Sequence, residues 1–139
     1  MFITKVSPRF GDVDWLGHIN NVVLAGWFEL ARNPLFNIFS KGPALSRDSW
    51  PLIMAHTEYD FTAQMFFQYE AEIRTYVERI GNKSFTLFHE ARQEGRLCAT
   101  GRAVIVYFDF SLNQSLPIPE DKRKLLAEHS LPSQTGKRE

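Results

Sequence analysis

RFGDVDWLGHINNVVLAGWFELAR, residues 9 to 32, decides what the rest of the chain must do. Nine of the eleven residues from Val22 to Arg32 are apolar or Gly, leaving only Glu29 and Arg32. A helix that is apolar nearly all round has no solvent face. It is also far too short to span a bilayer. The remaining sequence is therefore expected to supply a sheet that encloses it.

The turn before this helix holds the chemistry. Asp12 and Asp14 stand two apart, followed by Gly17, His18, Asn20 and Asn21. Asn20 or Asn21 suits an N-cap, where its side-chain oxygen accepts from an amide of the first turn. Gly17 permits a positive φ and a close approach to the backbone. The free amides and positive dipole end of a buried helix favour an oxygen that is or becomes negative. A carboxylate close to such donors has the layout of an acyl-transfer centre.

Working outward, Phe2 to Phe10 reads as a first strand, and Asn33-Pro34 predicts a kink or a helix restart before the stop at Lys41-Gly42-Pro43. Leu52 to Phe61 alternates, with Ile53, Ala55, Thr57, Tyr59 and Phe61 on one face and His56, Glu58 and Asp60 on the other. That pattern predicts a half-buried strand. Glu70 to Ile80 repeats it, with Ala71, Ile73, Thr75 and Val77 inward. Gly81-Asn82 and Glu94-Gly95 mark hairpins around Ser84 to Arg92, and Leu97 to Phe110 closes the sheet. Pro119 to Glu128 predicts a short amphipathic helix, and residues 130–139 a disordered tail. The expected class is α+β, an antiparallel sheet wrapped on one helix, in a single domain over residues 1–129.

Composition narrows the function. Sixteen basic residues balance sixteen acidic ones, so there is no electrostatic footprint for nucleic acid. The single cysteine, Cys98, excludes an internal disulfide and suits a reducing compartment. Neither a signal peptide nor a membrane span is read, which makes a cytoplasmic location the expectation. His89 and His129 lack ligand-like spacing, so no metal site is proposed.

D-x-D-x-x-G-H-x-N-N followed by an apolar helix ending F-E-x-A-R resembles the 4-hydroxybenzoyl-CoA thioesterase family of hotdog-fold enzymes. WPLIMAHTEYDF, RIGNKSFTLFHEA, an apolar strand ending YFD, and LPIPEDKR resemble the same family in the same order. The resemblance implies a five-stranded antiparallel sheet around a long central helix. It implies hydrolysis of a small or medium acyl-CoA thioester without metal or organic cofactor, in a homodimer or homotetramer.

It also assigns roles. Asp14 matches the catalytic position, as nucleophile or general base, and the backbone amide of Asn21 matches the donor that polarises the thioester carbonyl. His18 is expected to position Asp14 or the acyl group, and Gly17 to keep the mouth open. Lys83 and Ser84 match a segment that contacts the CoA phosphates, with Arg79, Arg102 and Lys122 to Lys124 as further candidates on charge. His56 is a candidate for the acyl pocket, and residues 44–50 for its cover. Leu24 stands where the family often has Tyr, which points to an apolar acyl pocket. Glu29 and Arg32 are expected to form a buried pair at helical spacing. Read from the residues alone, Asp12 and Asp14 are equally well turn residues making local Asx bonds. Two other classes share these features: an enoyl-thioester hydratase, and a non-catalytic acyl-thioester-binding protein.

Overall fold

The structure, a computed structural model, describes residues 1–40 and 50–132. Its elements follow the expected order. Strand β1 (Phe2–Val6) leads through a 3-10 turn at Phe10–Asp12 into helix α1 (Asn21–Ala31) and helix α2 (Asn33–Phe39). Strands β2 (Leu52–Phe61), β3 (Ala71–Ile80), β4 (Ser84–Gln93) and β5 (Arg96–Asp109) come next. A short β6 (Gln114–Ser115) and helix α3 (Glu120–Ala127) complete it. The sheet order is β1-β3-β4-β5-β2 with β6 beside β5, every pairing antiparallel.

The sheet curls around α1 because α1 carries its largest side chains on one side. Leu24, Trp27, Phe28 and Ala31 are buried and pack with Ile73 of β3, Ala91 of β4 and Ala99 of β5. Phe28 lies flat between Tyr59 of β2 and His89 of β4, at ring-centroid distances of 5.8 and 5.2 Å. A second cluster gathers around α2, where Leu35 and Phe39 meet Leu52, Phe85, Ile105 and Leu126. As anticipated, Ala71, Ile73, Thr75 and Val77 point inward.

Several expectations are corrected. The first strand ends at Val6, and Phe10 lies in the 3-10 turn that follows. Within one chain α1 is not enclosed all round: Val22, Gly26 and Leu30, one turn apart, face outward. A single sheet covers one side of a helix, so the outer stripe stays bare. The predicted pair at Glu29 and Arg32 does not form, because Glu29 is exposed and Arg32 is buried. The Arg32 guanidinium instead approaches His89, with Nη1 3.5 Å from Nε2.

Strand β2 is mostly exposed rather than half-buried. It is an edge strand among the described residues, and its register slips between Met54 and His56. That bulge lets Leu52 and Tyr59 both face the core although they are seven positions apart, so simple alternation fails. Leu131, placed in the tail by the sequence, lies beside β3, its N–H donating to the Val77 carbonyl at 2.8 Å. The cover expected at residues 44–50 lies, apart from Trp50, outside the described residues, as does most of the tail.

Candidate active site

The loop from Asp12 to Asn20 folds back on itself and delivers the chain to the start of α1. Val13 and Ile19 form an antiparallel bridge, Asp14 N–H donates to the His18 carbonyl at 2.8 Å, and Asn20 N–H to the Asp12 carbonyl at 2.9 Å. Gly17 closes the tip at φ +76°, a left-handed conformation that favours glycine. Nothing lies within 4 Å of a Cβ placed there, so its role in the loop is conformational. Asp12 is buried, and its Oδ2 accepts from Arg9 N–H at 2.7 Å, which anchors the base of the loop.

Asp14 uses one carboxylate oxygen to hold this loop. Oδ1 accepts from Leu16 N–H at 2.9 Å and from His18 N–H at 3.1 Å. The local Asx bonds of the conservative reading are therefore present. Among the described residues, Oδ2 accepts no hydrogen bond, and the side chain is exposed. His18 reaches Asp14 through its backbone N–H, while its ring packs edge-on against Phe66 at 5.3 Å.

Helix α1 begins as the sequence suggests. Asn20 is the N-cap, its side chain accepting from Val22 N–H at 3.0 Å, and its carbonyl accepts from Val23 and Leu24. Asn21 occupies the first helical position. Among the described residues its N–H has no acceptor, which leaves a free donor at the positive end of the helix. That residue lines a cleft of about 390 Å³ with Ile19, Leu24, Phe61 to Met65 and Arg96. The far wall is fixed by Gln93, whose buried amide accepts from Phe66 N–H and donates to the Phe66 and Tyr69 carbonyls at 2.8 to 2.9 Å. Ile19 N–H then ties the Asp14 loop to this wall through the Met65 carbonyl at 2.8 Å.

Asp14, Gly17, His18 and Asn21 share one loop and helix start, and of the four Asn21 lines the cleft. The other candidates lie elsewhere in the single chain. Lys83 and Ser84 sit at the opposite end of the sheet: Phe61 pairs with Ala99 of β5, whereas Ser84 pairs with Val106. Seven strand residues separate those two β5 positions, about 23 Å. His56 stands on the exposed edge strand with Nε2 3.8 Å from a Glu58 oxygen. Arg102 lies over the Phe88 ring and bonds Glu78, and Arg123 donates to the Gly81 carbonyl, so both are engaged.

Gln64 and Arg96 line the cleft without having been singled out in the sequence. The Glu94-Gly95 turn signals a hairpin, but only the fold shows that its end lies over the start of α1. Among the described residues no three His, Cys, Asp or Glu side chains gather as a metal site requires. No helix among them is long and apolar enough to cross a membrane.

Known proteins share this architecture. A structure described as that of a predicted thioesterase from Bacillus stearothermophilus is 39% identical, with a TM-score of 0.86 over 94% of this chain and 96% of that one. A thioesterase from Thermus thermophilus, complexed with coenzyme A and Zn, is 27% identical, with a TM-score of 0.77 over 88% of this chain and 94% of that one. The uncharacterized protein YsmA of Bacillus subtilis (strain 168) is 30% identical over 129 residues, 90% of this chain and 84% of its own. The shared fold is the hotdog, a curled antiparallel sheet around a helix. The model of the thioesterase-like superfamily matches residues 8–126, a span that includes the whole Asp14 loop and α1, and the chain belongs to that superfamily.

Proposed function

We propose that this protein is an acyl-CoA thioesterase that cleaves small or medium acyl thioesters to the acid and free CoA. One observation carries the reading: a single short segment supplies both the Asp14 carboxylate and the free N–H of Asn21. The N–H takes the carbonyl oxygen as it becomes an oxyanion, where a fixed dipole acts without reorganisation. Asp14 Oδ2 either attacks the carbonyl carbon, giving a mixed anhydride that water then hydrolyses to the acid and free Asp14, or takes the proton of an attacking water and passes it to the departing thiolate. Oδ1 keeps the carboxylate in place. Collapse of the tetrahedral adduct expels the CoA thiolate. The CoA-bound relative supports the choice of carrier, and the apolar walls at Ile19, Leu24 and Phe61 support an acyl group of modest size.

The working form in this reading is a homodimer, or a pair of dimers, in a reducing cytoplasm. The exposed β2 edge and the large exposed side chains Trp15, Leu16 and Val22 support it. Antiparallel pairing of two β2 edges sets the Leu52 end of one chain beside the Phe61 end of the other. Lys83 of the partner subunit then lies near the Asp14 loop, because its carbonyl accepts from Tyr107, the pairing partner of Leu52. That arrangement returns Lys83 and Ser84 to the substrate, and sets His56 near the dimer axis.

Thiol release from a panel of acyl-CoAs tests the reading. Asp14→Asn is expected to lower kcat by a factor of at least about 1,000 while CoA-thioester binding stays within a few-fold, the pattern of a group that acts in the transition state. An active Asp14→Asn enzyme, or loss of a crotonyl-CoA enoyl absorbance without thiol release, would contradict it.

A further inference from the structure

We propose that Arg96 makes the cleft at the start of α1 select acyl groups that end in a carboxylate; this rests on the thioesterase reading above. The cleft is lined by Ile19, Leu24, Phe61 and Met65 among others, and among the described residues Arg96 alone of its lining carries a charge. Among the described residues the Arg96 side chain has neither an ion pair nor a hydrogen bond. Glu94, two residues before it, lines the neighbouring cleft with Gln64 and Arg96 but not this one. Arg96 is exposed where β5 begins, at the rim of the cleft, and a guanidinium there matches a carboxylate with two parallel hydrogen bonds.

Size decides which anion. A compact volume of about 390 Å³ is roughly 9 Å across, and Asn21 and Arg96 both line it. A thioester whose carbonyl meets the Asn21 N–H and whose acyl group enters the cleft presents its acyl end to Arg96. The nucleotide phosphates of CoA lie on the other side of the sulfur, beyond the whole pantetheine arm. A short dicarboxylic acyl group bridges the two ends, with its thioester carbonyl at Asn21 and its free carboxylate at Arg96.

Glutaryl-CoA and hexanoyl-CoA, together with their N-acetylcysteamine thioesters, provide the test. The wild-type enzyme is expected to prefer the glutaryl member of each pair by at least tenfold in kcat/KM. Arg96→Gln should reduce that preference 10- to 100-fold in both pairs, and Arg96→Lys should restore part of it. Hydrolysis of hexanoyl-CoA with no carboxylate preference overturns this inference and leaves the thioesterase reading standing. Equal losses on both CoA thioesters, with none on the truncated ones, overturn it by making Arg96 a phosphate contact. A wild-type enzyme that cleaves no thioester overturns both.

Discussion

Phe28 shows how single residues set this fold. Its ring is clamped between Tyr59 and His89, and on β5 it presses on Gly101, where a Cβ would lie 3.1 Å from the ring and 3.2 Å from Tyr59. Phe28 is fully buried and has no room to retreat, so Gly101→Ala should cost about 1–3 kcal/mol in chemical denaturation. His89 beneath it is buried, with Nδ1 2.9 Å from Thr75 Oγ1 and Arg32 facing its other nitrogen. Burial, and then the Arg32 charge, push its pKa down to about 3. The unfolded chain therefore binds a proton that the folded chain refuses between about pH 6.5 and pH 3. This contribution to stability is complete above pH 6.5 and is lost as the pH falls below it. Between pH 7 and pH 5, His89→Asn should lose about 2 kcal/mol less stability than the wild type. Asn20, Gly17 and Pro34 were legible in the sequence because their roles depend on neighbours along the chain. Gly101 and the contact of Arg32 with His89 were not, because strand register brings them together from far apart.

Helix and strand identity could be read wherever one period dominated. Strand β4 alternates along its whole length, and β3 does so as far as Thr75, before its register slips between Val77 and Arg79; each is flanked by two strands and packed on one face. Strand β2 misled because it has one neighbour and a bulge at Ala55 that inverts the alternation. Helix α1 misled in the other direction, since its all-round apolarity describes more partners than one chain provides. The same helix gives a prediction about its start. Asn20→Ala removes the bond to Val22 N–H and should cost about 1 kcal/mol by thermal or chemical denaturation. If the Asn21 amide serves the reaction, the same variant should also lower kcat more than it raises KM.

At the scale of the molecule, the fold places the Asp14 loop and the Lys83 turn at opposite ends of one sheet, which no sequence pattern discloses. The resemblance gave both as parts of one site, and the proposed dimer, paired along β2, would reunite them. Light scattering should accordingly report about 32 kDa, twice the 16.1 kDa chain, or a multiple of that. Ile53→Lys on the exposed β2 edge should shift the population toward monomer and lower activity together with it.

In the thioesterase reading, one acidic loop and the helix it feeds act on the same carbonyl. A crystal structure with a non-hydrolysable acyl-CoA analogue measures it most directly. The analogue's carbonyl oxygen is expected about 2.7–3.1 Å from the Asn21 nitrogen, with Asp14 Oδ2 within about 3.5 Å of the carbonyl carbon or of a water poised on it. An analogue seated elsewhere, or an Asp14 carboxylate turned away from its carbonyl on both counts, would contradict it.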